Sequence, residues 1–269
     1  MSEAQPYAAT PSQFRMRPSR VLRTIREGKV ARVLKLNTAD AKVAEIFAAS
    51  QPDAIWVCME HVSGTWEQIE NQIRAAKIYD VDTLLRVARG SYSDYIRGYE
   101  MDATGLIVPH VMNTDDALRI RDITKFAPLG KRALDGGNND TIYTRVGLHD
   151  YLESANRERF ACYQIEDPEA LDHLDAIAEM DGVDSLFFGP GDFSLALGVP
   201  GEMQHPDIQA ARVRIAETAR RHGKIAATVC GWDQIKTCAD MGYNLLSVGA
   251  DVIALTNYAD QAMAAFGDL

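Results

Sequence analysis

Short apolar runs alternate with longer amphipathic stretches along most of the chain. Runs rich in β-branched and aromatic residues occupy 31–37, 54–60, 83–88, 105–111, 160–166, 185–190, 224–230 and 245–250. Between them lie segments with apolar residues at helical spacing, such as 65–79, 114–124, 168–180 and 206–222. This alternation predicts parallel strands joined by crossover helices, and eight such units predict closure into an α/β fold, the (β/α)8 TIM barrel. An open doubly wound sheet is the alternative. It is usually marked by a glycine-rich first turn, which this chain does not have.

The rhythm breaks between residues 111 and 160. Pro128-Leu129-Gly130 and the turn-rich Asp135-Gly136-Gly137-Asn138-Asn139-Asp140 cannot continue a helix, and they predict a long loop over the barrel mouth, a lid or specificity element. Residues 1–20 are polar and carry Pro6, Pro11 and Pro18. They read as an extended N-terminal arm ordered by packing on a neighbouring subunit, with 21–269 as a single barrel domain. The tail, 257–269, reads as a final helix with Ala259, Ala262, Met263, Ala265 and Phe266, suited to packing on another subunit. No internal repeat is visible.

Composition narrows the class of ligand. With 269 residues, 46% hydrophobic and 25% charged, the chain can bury one core of barrel size. Its net charge of −10, without a cluster of Lys and Arg, argues against nucleic acid and against anionic membranes, so a small molecule is expected. No apolar stretch has signal-peptide or membrane length. Cys58, Cys162, Cys230 and Cys238 lack CxxC spacing and flanking histidines, which suits a reducing cytoplasm.

Barrel active sites lie at the C-terminal ends of the strands. The polar residues expected there are Lys35 and Asn37, Glu60 and His61, Arg89, His110, Gln164 and Glu166, Asp192, Trp232 and Asp233, and Asp251. Glu166 and Asp192 follow consecutive apolar runs, so a strand–helix–strand step places both carboxylates on one rim. Two hard oxygen ligands there suit a divalent cation, with water and substrate completing the octahedron. The competing structural reading makes Asp192 a helix cap and pairs Glu166 with an arginine. Gly189-Pro190-Gly191 tilts the balance, because it lets backbone N–H groups approach an anion closely. His61 can serve as general base, since a histidine titrates near neutral pH, or it can hold a neighbouring loop. Arg89 can stabilise a developing enolate or form a rim salt bridge, while Arg86 is expected on the opposite face. His110 reads better as a structural histidine. Lys35 raises the possibility of a Schiff-base aldolase, although the carboxylate pair would then have no purpose.

These residues bring the chain close to a known family. It resembles the HpcH/HpaI aldolases, metal-dependent class II pyruvate aldolases whose type member is 4-hydroxy-2-oxoheptanedioate aldolase. The resemblance runs from about Val21 to the C-terminus. It is strongest at Gln164-Ile165-Glu166, along residues 182–194, which contain Phe188-Gly189-Pro190-Gly191-Asp192, and at Leu197-Gly198-Val199-Pro200-Gly201. Weaker support comes from Glu60-His61, Arg89-Gly90-Ser91, Pro128-Leu129-Gly130-Lys131-Arg132 and Val248-Gly249-Ala250-Asp251. The resemblance implies a Mg2+, Mn2+ or Co2+ ion on Glu166 and Asp192, His61 as base, and Arg89 on the enolate. It further implies that amides of Gly191 and Asp192 receive the pyruvate carboxylate, that Gln164 sits beside the metal, and that the protein is a cytoplasmic homohexamer with exchanged C-terminal helices.

Two residues depart from the family pattern. Cys58 stands where the type member has an Asp that orients the histidine, and Lys35 stands where many members carry a Trp, which changes the aldehyde pocket and offers a substrate-binding amine that can pair with an acidic substrate tail. The resulting expectation is reversible cleavage of a 4-hydroxy-2-oxo acid to pyruvate and an aldehyde. The alternatives are a carbon–carbon lyase acting on a CoA thioester, of the citrate lyase or malyl-CoA lyase type, and a barrel that binds a keto acid or metal without turnover.

Overall fold

The computed structural model describes residues 13–267. Eight strands pair in chain order, each parallel to the next, and the last pairs with the first to close a barrel. They are β1 (Ala31–Lys35), β2 (Ala54–Cys58), β3 (Asp82–Arg86), β4 (Gly105–Val108), β5 (Phe160–Ile165), β6 (Ser185–Phe188), β7 (Ile225–Cys230) and β8 (Leu245–Val248). Each expected apolar run coincides with a strand, which ends up to three residues before the run does, and β3 begins one residue ahead of its run. The helices are α1 (Arg20–Arg26), α2 (Ala41–Ala49), α3 (Trp66–Lys77), α4 (Tyr92–Glu100), α5 (Thr114–Thr124), α6 (Leu148–Glu158), α7 (Leu174–Glu179), α8 (Pro190–Ala196), α9 (Pro206–Arg221), α10 (Ile235–Asp240) and α11 (Asp251–Phe266).

Side chains alternate between two cores. Val33, Trp56, Leu84, Ile107, Phe160, Cys162, Phe187, Ala227 and Leu245 fill the barrel interior, with the rings of Trp56 and Phe187 meeting edge to face at 5.6 Å. Their neighbours in sequence, such as Ile55, Leu85, Leu106, Tyr163, Leu186 and Leu246, pack outward under the helices. Because strand side chains repeat every second residue, the positions two beyond the interior set also face the axis, one layer nearer the mouth. These are Lys35, Cys58, Arg86, Gln164, Gly189, Val229 and Ser247.

The opposite end of the barrel is closed by the chain's own N-terminal segment. Ser19 caps α1 through its hydroxyl, which accepts the Leu22 amide at 3.0 Å. The carboxylate of Asp82, at the start of β3, accepts from Ser19 Oγ (2.7 Å) and the Val21 amide (3.0 Å) and pairs with Arg17 (2.9 Å). Met16 is buried against Phe126, Val146, Tyr151 and Ala155. The described part of the expected arm thus packs on its own barrel. Residues 1–12 of that arm lie outside the described residues.

The interval between β4 and β5 is not a lid. Helix α5 occupies its first part and α6 its last, and the connection between them lies at the far end of the barrel. There Lys77, at the end of α3, donates to Asn139, and Lys125 donates to the Arg159 carbonyl just before β5 and pairs with Asp184. The reason is topological. A crossover helix carries the chain from the mouth back to the N-terminal edge, so whatever follows α5 and precedes β5 has to lie at that edge.

Candidate active site

Register sets the first neighbours at the mouth. Cys58 of β2 lies beside Arg86 of β3, and Lys35 of β1 lies beside Trp56 of β2. The Arg86 guanidinium points inward. Its Nε donates to Cys58 Sγ at 3.3 Å and forms an ion pair with Glu60 Oε2 at 3.0 Å, and its Cζ lies 5.0 Å from the centroid of the Trp56 ring. The outward placement expected for Arg86 is therefore wrong. Arg89 lies three residues further, beyond the strand, where both oxygens of Asp116 accept from its Nη2 at 2.8 Å on the exposed rim. Of the two arginines, Arg86 is the one facing the barrel mouth, and the ion pair at Arg89 is the rim salt bridge of the competing reading.

His61 sits just past β2 with its side chain 59% exposed and Nε2 3.5 Å from Glu60 Oε2. Its backbone N–H donates to Cys58 Sγ at 3.4 Å. Cys58 consequently braces the loop, and Glu60 is the carboxylate beside the imidazole. Glu60 thus links Arg86 and His61 through one oxygen, a part that sequence reasoning did not assign to it.

Across the mouth, Glu166 follows β5 and is almost wholly buried. Its Oε1 accepts the His110 amide at 2.8 Å, and its Oε2 accepts from the Gln164 side-chain amide. His110 adopts φ 51°, an uncommon left-handed geometry for a non-glycine residue. Its Nδ1 lies 3.0 Å from Asp167 Oδ2, so the imidazole is held to the rim, as the structural reading expected. Burial, reinforced by the negative charges of Asp192 and Glu60 and opposed by His110, pushes the Glu166 carboxyl up to about 7. No Lys or Arg pairs with Glu166 among the described residues.

Asp192 stands in the first turn of α8, partly exposed, with no hydrogen bond or ion pair from its side chain among the described residues. The Gly191 and Asp192 amides precede the first backbone bond of that helix, from Phe193 to the Gly189 carbonyl, so both donors are open. Gly189 is a close-approach position. A Cβ there would lie 2.7 Å from Glu166 Oε2 and 2.9 Å from Gln164 Nε2. Gln164 Oε1 is buried without a hydrogen-bond partner among the described residues, an oxygen left over beside two carboxylates. That donor set, with two mutually repelling acids and an orphaned amide oxygen, fits a hard divalent cation.

Lys35 lies across the Trp56 ring, its Nζ 4.9 Å from the centroid, and borders a cavity of about 540 Å3 shared with Gly191, Val229, Trp232 and Ser247. Asp251 is structural. Its carboxylate accepts the Asn37 and Thr38 amides at 2.6 and 3.0 Å and so clasps the ends of β1 and β8. Asp233 is exposed and accepts from Gln234.

Residues 32–257 match the family model described as HpcH/HpaI aldolase/citrate lyase. This chain belongs to that family. A 2-keto-3-deoxy-L-rhamnonate aldolase of Escherichia coli O157:H7 is 30% identical over 248 residues, covering 90% of this chain and 91% of the relative. The same enzyme of Shigella sonnei (strain Ss046) matches equally. Among solved structures, an HpcH/HpaI aldolase from Desulfitobacterium hafniense DCB-2 superposes with a TM-score of 0.86 at 25% identity, over 92% of this chain and 96% of that one. The citrate synthase SbnG superposes with a TM-score of 0.82 at 25% identity, over 90% and 95%. The family and these aldolase relatives identify the chain as a carbon–carbon lyase of the aldolase type, on the barrel that carries this chemistry in its relatives.

Proposed function

We propose that the protein reversibly cleaves a 4-hydroxy-2-oxo acid to pyruvate and an aldehyde, with a divalent cation held by Glu166 and Asp192. The observation that carries this reading is the buried Glu166 carboxyl beside the unpartnered Gln164 oxygen, under the negative charge of Asp192 and with no Lys or Arg paired to it among the described residues. Such a pair is costly unless a cation joins it. The rhamnonate relatives act on a 2-keto-3-deoxy acid, in which C2 is a ketone and C3 a methylene, the skeleton this cleavage requires.

Bound there, Mg2+, Mn2+ or Co2+ supplies a Lewis acid that polarises the 2-oxo group. The remaining work belongs to the chain. His61 takes the proton from the 4-hydroxyl as the C3–C4 bond breaks, and Glu60 orients its imidazole. Arg86 directs its guanidinium at the negative charge that develops on the three-carbon fragment. The open amides of Gly191 and Asp192 receive the carboxylate, and Gln164 keeps Glu166 turned toward the site.

Exchange of pyruvate methyl protons with solvent deuterium, followed by NMR, tests this reading. Exchange should require a divalent cation and no aldehyde. A lyase specific for CoA thioesters would require the thioester, and a binding barrel would show no exchange, so either result overturns the proposal.

The reading extends to assembly and location. Helix α11 buries only Asp251 and exposes Ile253, Leu255, Tyr258, Met263 and Phe266, an apolar face that packs against a neighbouring copy in a homohexamer. The four cysteines are free thiols, which suits the cytoplasm.

A further inference from the structure

We infer that the cavity beside the carboxylate pair receives an aldehyde bearing an anionic group, and that Lys35 is the residue that selects it. This rests on the aldolase reading and adds the class of its second substrate.

Among the described residues the cavity wall carries Lys35 and Arg212 but no Asp or Glu, in a chain with 38 acidic residues against 28 basic. Neither cation has a carboxylate within salt-bridge distance among the described residues. The acids nearest Lys35 are already engaged, Glu60 by Arg86 and Asp251 by the amides and hydroxyl at Asn37 and Thr38. Arg212 is 7% exposed. Its guanidinium donates to Thr228 Oγ1 and Cys238 Sγ, each at 3.5 Å, and lies over the Phe188 ring at 5.4 Å. A hydrogen bond with Cys230 and this guanidinium together bring the Cys238 thiol down to about 6, so Arg212, unlike Lys35, already has a partner able to carry negative charge.

Buried cations without an anion are costly. Burial and the nearby Arg86 charge lower the pKa of Lys35, so the ammonium gains from any anion that enters. Of the two cations, Lys35 stands inside the barrel on the ring that includes Arg86, whereas Arg212 comes from α9 behind β7. Lys35 is therefore the group that an aldehyde meets while its carbonyl faces the three-carbon nucleophile. Around it the wall is largely apolar and amide-bearing, with Val229, Met203, Trp232 and Gln204, which suits a short carbon chain with one charged end. In the synthetic direction C3 of the enolate attacks the aldehyde carbon, the carbonyl electron pair moves to oxygen, and that oxygen takes the proton held by His61 to become the 4-hydroxyl. The anionic group remains unreacted on Lys35.

The test uses the Mn2+-loaded full chain with pyruvate and matched aldehydes. Succinic semialdehyde is compared with butanal, and glyceraldehyde 3-phosphate with glyceraldehyde. In at least one pair the wild type should favour the charged member by at least about tenfold in kcat/KM, and the pair that does so identifies the anion as carboxylate or phosphate. Lys35→Met should bring that ratio close to one, and Lys35→Arg should restore it in part. Because the ratio is taken within each protein, a general loss of activity cancels. A wild type without preference in either pair, or a Lys35→Met variant that keeps the preference, overturns the inference. If pyruvate still exchanges its methyl protons in that case, the aldolase reading stands and only the assignment of Lys35 fails.

Discussion

Glu60 holds two groups with one carboxylate, the Arg86 guanidinium at 3.0 Å and the His61 imidazole at 3.5 Å. That geometry separates the two arginines of this region. Arg86→Ala should lower kcat about 10²- to 10³-fold, the usual loss when one stabiliser of developing charge is removed. Arg89→Ala breaks an exposed ion pair and should change kcat less than about threefold. Steady-state kinetics on both variants checks the pair, and equal losses would refute the placement of Arg86. Glu166 gives a prediction for the metal-free protein. Its carboxyl is raised from 4.5 to about 7, so the folded state favours the protonated form. This group's contribution to stability is complete below about pH 4.5 and is lost as pH rises through about 7. Glu166→Gln removes that dependence. With chelator present, the variant should gain on the wild type between pH 5 and pH 8, by on the order of 1–2 kcal/mol. Urea unfolding at the two pH values measures it, and parallel pH profiles would count against the raised carboxyl.

At the scale of elements, the junction of β6 and α8 determines whether the carboxylates can share a ligand. Gly189 lets that turn lie against Glu166 and Gln164, and a methyl group there would enter both side chains. Gly189→Ala should therefore weaken Mn2+ binding by at least about tenfold in calorimetric titration, and unchanged affinity would show that the turn has room to spare. The end of β3 shows what an element hides in sequence. Residues 82–86 are buried throughout, because parallel strands are covered on both faces. Thr83-Leu84-Leu85-Arg86-Val87-Ala88 accordingly has no polar alternation to say which face looks inward, and the pattern alone does not separate Arg86 from Arg89 as the inward arginine. Glu166 and Asp192 stand out in the sequence, since Glu166 closes one apolar run and Asp192 follows the next by two residues. The 111–160 interval misled for another reason. Its glycines, prolines and asparagines do mark a turn-rich connection, but turn residues do not report at which end of a barrel the turn lies.

For the whole molecule, the two ends of the barrel are treated differently. The N-terminal end is sealed by Arg17, Ser19 and α1 against Asp82 and Glu158, while the mouth is left to the site. Helix α11 extends from β8 with Leu255 55% and Tyr258 73% exposed, more apolar surface than a lone protomer usually leaves on one helix. Replacing Leu255 and Tyr258 with glutamate should lower the mass measured by sedimentation velocity toward that of the monomer, with the far-ultraviolet circular dichroism retained. An unchanged mass would show that α11 is not an interface.

Sequence by itself determined the architecture and nominated candidate residues for the barrel mouth. Eight apolar runs spaced by crossover-length helices admit few arrangements other than a closed parallel barrel, because parallel strands cannot be joined by short turns. That Glu166, Asp192 and His61 lie near the mouth was legible for the same reason, since strand ends in that fold converge. Tertiary structure decided which side chains meet there. The β2–β3 register brings Arg86 to Cys58, the bend after β2 places Glu60 between a guanidinium and an imidazole, and closure of β8 onto β1 leaves Lys35 facing a cavity instead of a carboxylate. A strand shifted by one residue would turn each of these groups to the opposite face, and a run that is apolar on both faces does not encode that choice locally.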